Sequence, residues 1–314
     1  MRFKKISSAL LALCLLAGYG QCAALDQTTD TMDLRPTVVL EDQAVPLAAA
    51  PMPVASGTAA KTTARATIDY SNTKDGYVMV RFTVTSGKKL KAQVTGPSTT
   101  YTYDLTSGVW ATFPLSQGNG NYKVTVLENT SGSKYAVEAT VSFSVTLSDE
   151  FAPFLRPNQY VNYASAAKTT AKAAELTNGV AKEFDKVVKV YDFVVNNLTY
   201  DKNKAATVKS GYLPVLDSVL AAKTGICFDY AALMCGMLRS QGIPCKLVVG
   251  YAGTQYHAWI SVWTKETGWV DGAIYFDGVN WQRMDPTFAS SSKGSEAIMQ
   301  YIGDGKNYSV KYVY

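Results

Sequence analysis

The hydrophobic period changes near residue 150, and the change limits what each side of it can fold into. Between Thr67 and Leu147, apolar residues alternate with polar ones in the short runs "YVMVRFTVT", "KLKAQVT", "YTYDL", "NYKVTVLE" and "VEATVSFSVTL". A period of two turns one face of each run inward, and the punctuation between runs ("DG", "SG", "GP", "GNGN") lets antiparallel neighbours close. Short strands at this spacing predict an all-β sandwich of the Ig-like kind over residues 67–150. After "APFLRPNQY" the pattern turns helical: Val187, Val190, Tyr191, Val194 and Val195 recur at the three-and-four spacing of a buried stripe. "YASAAKTTAKAAELTNG" and "DSVLAAKTG" read as further helices, and "YHAWISVW", "GWVDGAIYF" and "VNWQRMDPTF" as strands bounded by Gly and Asp turns. Helices first and strands later describe an α+β domain over residues 151–314.

The segment before the sandwich, residues 25–66, is rich in Thr, Ala and Pro and reads as a flexible linker. Residues 1–24, "MRFKKISSALLALCLLAGYGQCAA", pass from a cationic start through an apolar core to small residues, the layout of a secretory signal. The apolar run is too short for a membrane span, which needs about 20 such residues, so the expectation is a secreted or cell-surface protein with no integral span. Cys22 follows Tyr19, Gly20 and Gln21, a poor match to lipoprotein processing. Removing the signal takes away Arg2, Lys4 and Lys5 and no acid, so the formal charge falls from +5 to +2. That balance leaves no nucleic-acid footprint.

An exported chain makes its thiols conspicuous. Past the signal there are three, Cys227, Cys235 and Cys245, all within "TGICFDYAALMCGMLRSQGIPCKLVVGY". An odd number cannot be used up in disulfides, so at least one stays free. In "FDYAALMCGMLRSQG" the apolar stripe and the closing Gly242 predict a helix that begins at or just after Cys227. Unpaired backbone N–H groups and the positive dipole end stabilise a thiolate there, moving its pKa from about 8.5 toward neutrality. Cys235 and Cys245 sit on apolar runs and read as small core residues; a disulfide between them is open to the chain but not readable from sequence.

A thiolate nucleophile benefits from an imidazole that takes and returns its proton. The chain holds one histidine, His257, thirty residues on and on a predicted strand. If Cys227 has an imidazole partner in this chain, it is His257. Asp285, in "WQRMDPTF", is the best candidate for the group that orients that ring, because it follows a strand able to pair with the His257 strand. Asp271 and Asp277 compete but read as turn aspartates. A zinc site built from Cys227, Cys245 and His257 would lack a close ligand pair.

The blocks "GICFDYAALMCGMLRSQGIPCKLVVGY", "YHAWISVW" and "WQRMDPTF", in this order, resemble the motif blocks of the transglutaminase-like superfamily. The resemblance covers about 160 residues and implies a papain-like α+β core. It makes Cys227 the nucleophile, His257 the general base and acid, and Asp285 the orienting carboxylate. It also offers Tyr200, in "NLTYDKN", as a hydroxyl donor to the oxyanion beside the Cys227 backbone N–H. No "DxDxDG" loop of the calcium-binding kind is present, and no metal or other cofactor is implied.

The expected function is exported cysteine acyl transfer through a Cys thioester on protein or peptide amides, as transglutaminase-like transfer or deamidation, with a substrate associated with the cell wall or cell surface. A cysteine protease or amidase of the same fold, and a non-catalytic surface binding protein, are the alternatives. Tyr256, Trp259 and Trp281 would either line a water-excluding channel or fill core.

Overall fold

Residues 51–271, 275–276, 281–282 and 308–314 are described by the computed structural model of the protein. The signal segment, Cys22, Asp277 and Asp285 lie outside them. The alternating first half forms β1 (Ala60–Thr62), β2 (Ala66–Asp69), β3 (Tyr77–Phe82), β4 (Leu90–Thr95), β5 (Thr100–Leu105), β6 (Ala111–Pro114), β7 (Gly120–Ser131) and β8 (Lys134–Val145). They pair antiparallel in two sheets, ordered β1-β2-β3-β6 and β5-β4-β7-β8. The inward positions follow the period of two: Leu90, Ala92 and Val94 on β4, and Tyr122, Val124 and Val126 on β7, are buried. They share one core with Ile68, Val78, Val80 and Phe82 of the other sheet, as in a two-sheet sandwich. Strand β1 falls inside the stretch read as linker; its three residues are all exposed and carry no inward stripe for periodicity to detect.

The second half opens with α1 (Ala167–Thr177), α2 (Glu183–Asn197), β9 (Thr199–Tyr200), α3 (Lys202–Thr207), α4 (Leu216–Ala222), β10 (Thr224–Gly225) and α5 (Cys227–Ser240). The strands β11 (Cys245–Ala252), β12 (Gln255–Thr264), β13 (Gly268–Asp271), β14 (Tyr275–Phe276), β15 (Trp281–Gln282) and β16 (Tyr308–Val313) follow. Helix α5 is buried from Asp229 through Arg239. A helix apolar on every side needs cover on every side, and α1, α2, α4, β11 and β12 supply it. Behind it lies an antiparallel sheet ordered β13-β12-β11-β16. The arrangement is α+β, as the change of period requires.

The amide ends of α1 are capped from another helix. The N-cap residue Ala166 offers no side-chain acceptor, and Asp217 of α4 accepts instead from the backbone N–H groups of Lys168 (3.2 Å) and Thr169 (2.8 Å). The Thr169 hydroxyl adds a third bond at 2.8 Å. Burial opposes the charge on Asp217, but these donors outweigh it and hold the carboxyl below its ordinary range.

The sandwich and the α+β lobe meet through aromatic rings. Tyr101 and Tyr103, two apart on β5, pack against Tyr314 at 5.4 and 5.9 Å between ring centroids, and Tyr103 reaches Tyr160 at 5.7 Å. Val313 N–H donates to the Tyr101 hydroxyl at 3.2 Å, and the Ser116 hydroxyl donates to the Val313 carbonyl at 2.6 Å. Beneath this contact Arg239 is fully buried. Its guanidinium donates to the carbonyl oxygens of Cys245 (2.8 Å), Arg156 (2.8 Å) and Tyr314 (2.7 Å). A buried charge survives only with such partners, so Arg239 ties three distant segments at one point.

Candidate active site

The parallel pair β9–β10 sets Tyr200 beside Gly225, two residues before Cys227. Gly225 is required there by close approach: a Cβ on it would lie 2.6 Å from the Asp229 Cβ. Asp229, fully buried in the first turn of α5, accepts from the Ile226 backbone N–H at 2.8 Å. Cys227 is thus the first residue of a helix whose entry is fixed by its own third residue.

Two further groups hold that carboxylate. Lys204 Nζ donates to it at 2.6 Å and the Tyr212 hydroxyl at 2.5 Å, while Lys204 also donates to the Tyr212 oxygen at 2.7 Å. Burial alone would lower the Lys204 pKa, but its bonds to Asp229 and Tyr212 raise it overall. Burial raises that of Tyr212, and its bond to Asp229 adds to the rise. The cluster binds α3 and the segment after it to the start of α5. Sequence reading missed Lys204 and Tyr212. An Asp three residues after the N-cap in "ICFD" was the available signal for Asp229.

On the sheet side, His257 lies opposite Gly250 in the β11–β12 ladder and is 5% exposed. Its ring lies 6.3 Å from Trp259 and 6.5 Å from Tyr308, centroid to centroid. Trp259 is itself core, 3% exposed, with Tyr308 edge-on at 5.1 Å. Tyr256 is 52% exposed and faces the open space beside Cys227. Burial, then Tyr312, Tyr251 and the nearby Cys227 thiol, raise its phenol pKa. Of the three aromatics considered for a channel, Tyr256 therefore lines the site and Trp259 fills core; the Trp281 side chain lies outside the described residues.

Cys227, His257 and Tyr200 all line one cleft of about 540 Å³. Tyr160, Tyr212, Phe228 and Tyr314 supply aromatic walls, and burial followed by the nearby Asp104 carboxylate pushes Tyr160 up to about 12. Part of the wall comes from the sandwich: Lys91 of β4 and Thr102 and Asp104 of β5. Lys91 and Asp104 form an ion pair, and Gln159 Nε2 donates to the Asp104 carbonyl at 2.7 Å. Nothing local in the sequence of β4 or β5 marks them as lining a cleft.

Asp285 lies outside the described residues. Asp271 ends β13 opposite Ser261, four positions along β12 from His257, and does not line the cleft. Among the described residues no group of three or more His, Cys, Asp and Glu is placed to hold a metal ion. No helix among them is long and apolar enough to cross a membrane.

Residues 170–286 match the family profile described as the transglutaminase-like superfamily. The chain is 30% identical over 117 residues to the uncharacterized protein YebA of Bacillus subtilis, covering 31% of this chain and 16% of YebA. It is 32% identical over 68 residues to a protein-glutamine gamma-glutamyltransferase of Pseudomonas aeruginosa, covering 17% of this chain and 10% of that enzyme. The chain thus spans a small part of either relative's length. Among solved structures it is similar to the periplasmic domain of TgpA from Pseudomonas aeruginosa, with a TM-score of 0.34 and 17% identity over 78% of this chain and 99% of that one.

Proposed function

Taking as premise that the chain carries a transglutaminase-like superfamily core, we propose that it is an exported cysteine acyltransferase acting on protein or peptide amides. The observation that carries this reading is the convergence of Cys227, His257 and Tyr200 on one cleft, with Cys227 at the amino end of a buried helix. Cys227 Sγ attacks the amide carbonyl while His257 takes the thiol proton. The tetrahedral intermediate collapses to a thioester, the C–N bond breaks, and His257 returns the proton to the departing ammonia or amine. An incoming primary amine then attacks the thioester, forms the new amide and restores the thiol.

Negative charge on the carbonyl oxygen is met by the Cys227 backbone N–H and the Tyr200 hydroxyl. Asp285 holds the imidazole in the productive tautomer and stabilises its charged form. Transfer, as against hydrolysis, requires a site that binds the amine or excludes water. The aromatic walls, Tyr160, Tyr212, Phe228, Tyr256 and Tyr314, favour that outcome. The signal-like layout of the first 24 residues supports the exported part of this reading.

The test offers a glutamine-bearing protein with a labelled primary amine and follows amine incorporation, ammonia release and new peptide termini together. Incorporation with ammonia is the expected result. Ammonia alone would make the enzyme a deamidase, and new termini without ammonia would make it a protease. None of the three, with a substrate range wide enough to include surface proteins, would leave a binding protein.

A further inference from the structure

The catalytic reading uses one of the three thiols past the signal-like segment and leaves the other two unexplained. Cys235 lies two turns into α5 and Cys245 is the first residue of β11. Their Sγ atoms are 3.1 Å apart, and both residues are fully buried. Neither lines the cleft that Cys227 opens onto. Ordinary core packing asks nothing of two sulfurs meeting head on, since Ala or Val fills such a place without a polar atom to satisfy.

We infer that Cys235 and Cys245 are a disulfide-forming pair that covalently joins the helix of Cys227 to the sheet of His257, leaving Cys227 as the single free thiol among the described residues. The inference does not depend on catalysis. β11 carries Gly250 opposite His257, so the bridge would fasten the two elements whose relative position defines the cleft. Position also explains why the bridge excludes Cys227, which lies on the cleft side of α5 and is only partly buried.

The step balances with a disulfide oxidant, such as oxidised glutathione or a protein disulfide donor. One thiolate attacks a sulfur of the oxidant and releases one thiol. The second thiolate attacks the resulting mixed disulfide, forming the Cys235–Cys245 bond and releasing the second thiol. Two electrons pass to the oxidant, and each protein sulfur loses its proton. In the finished fold, burial and then the adjacent Cys235 thiol push the Cys245 pKa up, which suppresses the thiolate. The exchange therefore belongs to folding, before the core closes.

The experiment takes the protein without its signal-like residues 1–24, and so without Cys14 and Cys22, refolds it from the denatured, reduced state in a glutathione redox buffer, quenches with acid, and alkylates under denaturing, non-reducing conditions before peptide mapping. The expected result is one alkylated cysteine, Cys227, and one cross-linked peptide pair joining Cys235 to Cys245, lighter by two hydrogen atoms than the reduced pair. Three alkylated cysteines, or a bridge that includes Cys227, would overturn the inference. As a second measurement, the refolded Cys227→Ser variant should show no free thiol and melt roughly 5 to 10 °C higher before reduction than after it. Two free thiols in that variant, or equal melting temperatures, would equally overturn it. Because neither readout involves turnover, a failure here leaves the acyltransferase reading untouched, and the reverse also holds.

Discussion

His257 stands directly across the ladder from Gly250, and a Cβ on Gly250 would lie 2.0 Å from the Ser309 carbonyl oxygen and 2.9 Å from the Trp259 ring. Strand β11, the partner of the strand that presents the imidazole, is therefore squeezed between its two neighbours at that level, where the β11–β16 register also shifts. Gly250→Ala must push β16 away from β11. We expect a loss of about 1–3 kcal/mol in stability, read by urea unfolding, together with reduced Cys227 reactivity. Unchanged stability would mean that β16 yields freely.

The thiol assignment is testable without a substrate. In the reduced protein, a small alkylating reagent at mildly acidic pH should modify Cys227 well before the fully buried Cys235 and Cys245. His257→Ala should slow that labelling at low pH by removing the imidazolium partner. Labelling at equal rates, or insensitivity to His257→Ala, would separate the two side chains functionally.

Asp285→Ala should lower turnover by orders of magnitude and leave the fold intact, because its proposed work is to orient and charge-stabilise the imidazole. Asp285→Asn retaining more activity than Ala would show that orientation dominates. Wild-type turnover in both would remove Asp285 from the machinery.

The Lys204–Tyr212–Asp229 cluster gives an alkaline signature. Both Lys204 and Tyr212 have folded pKa values raised above their ordinary 10.5 and 10.0, so the folded state binds their protons more tightly than the unfolded state. The stabilisation is complete below those ordinary values and is lost as pH rises through the folded ones. Tyr212→Phe should cost about 1–3 kcal/mol at neutral pH and flatten the fall in stability above pH 10. A variant curve parallel to wild type would show that the cluster contributes nothing to it.

Asp217 gives the opposite signature. Its folded carboxyl lies below the ordinary value of 3.8, so its contribution is present above that value and disappears as pH falls through the folded one. Asp217→Ala should cost about 1–2 kcal/mol at neutral pH, the worth of a lost helix cap, with the deficit shrinking in acid. A deficit that persists undiminished at low pH would assign the cost to packing instead.

Much of this was legible before any coordinates. The period of two on β4 and β7 and the three-and-four stripe of α2 are local patterns, and each appears in the burial of the same residues, Val195 alone being half-buried. The start of α5 at Cys227 was readable from the apolar stripe and the Gly242 that closes it. What sequence could not give were relations between distant segments. Lys204 reaches Asp229 across 25 positions, and Thr102 and Asp104 come to the cleft from another lobe. Strand β1, with no buried face, left no periodic trace at all.

The place of β16 has a consequence for how the protein is made. Val313 and Tyr101 hydrogen-bond across 212 positions, and Tyr314 provides both an oxygen to Arg239 and a wall of the cleft. A nascent chain translated as far as residue 307 already contains Cys227 and His257 but lacks this closing strand. Its Arg239 has one carbonyl fewer to satisfy it, and one sheet edge stands open. Contacts this remote in sequence form late and slowly. The thiol is thus synthesised before the segment that supplies part of its cleft's wall.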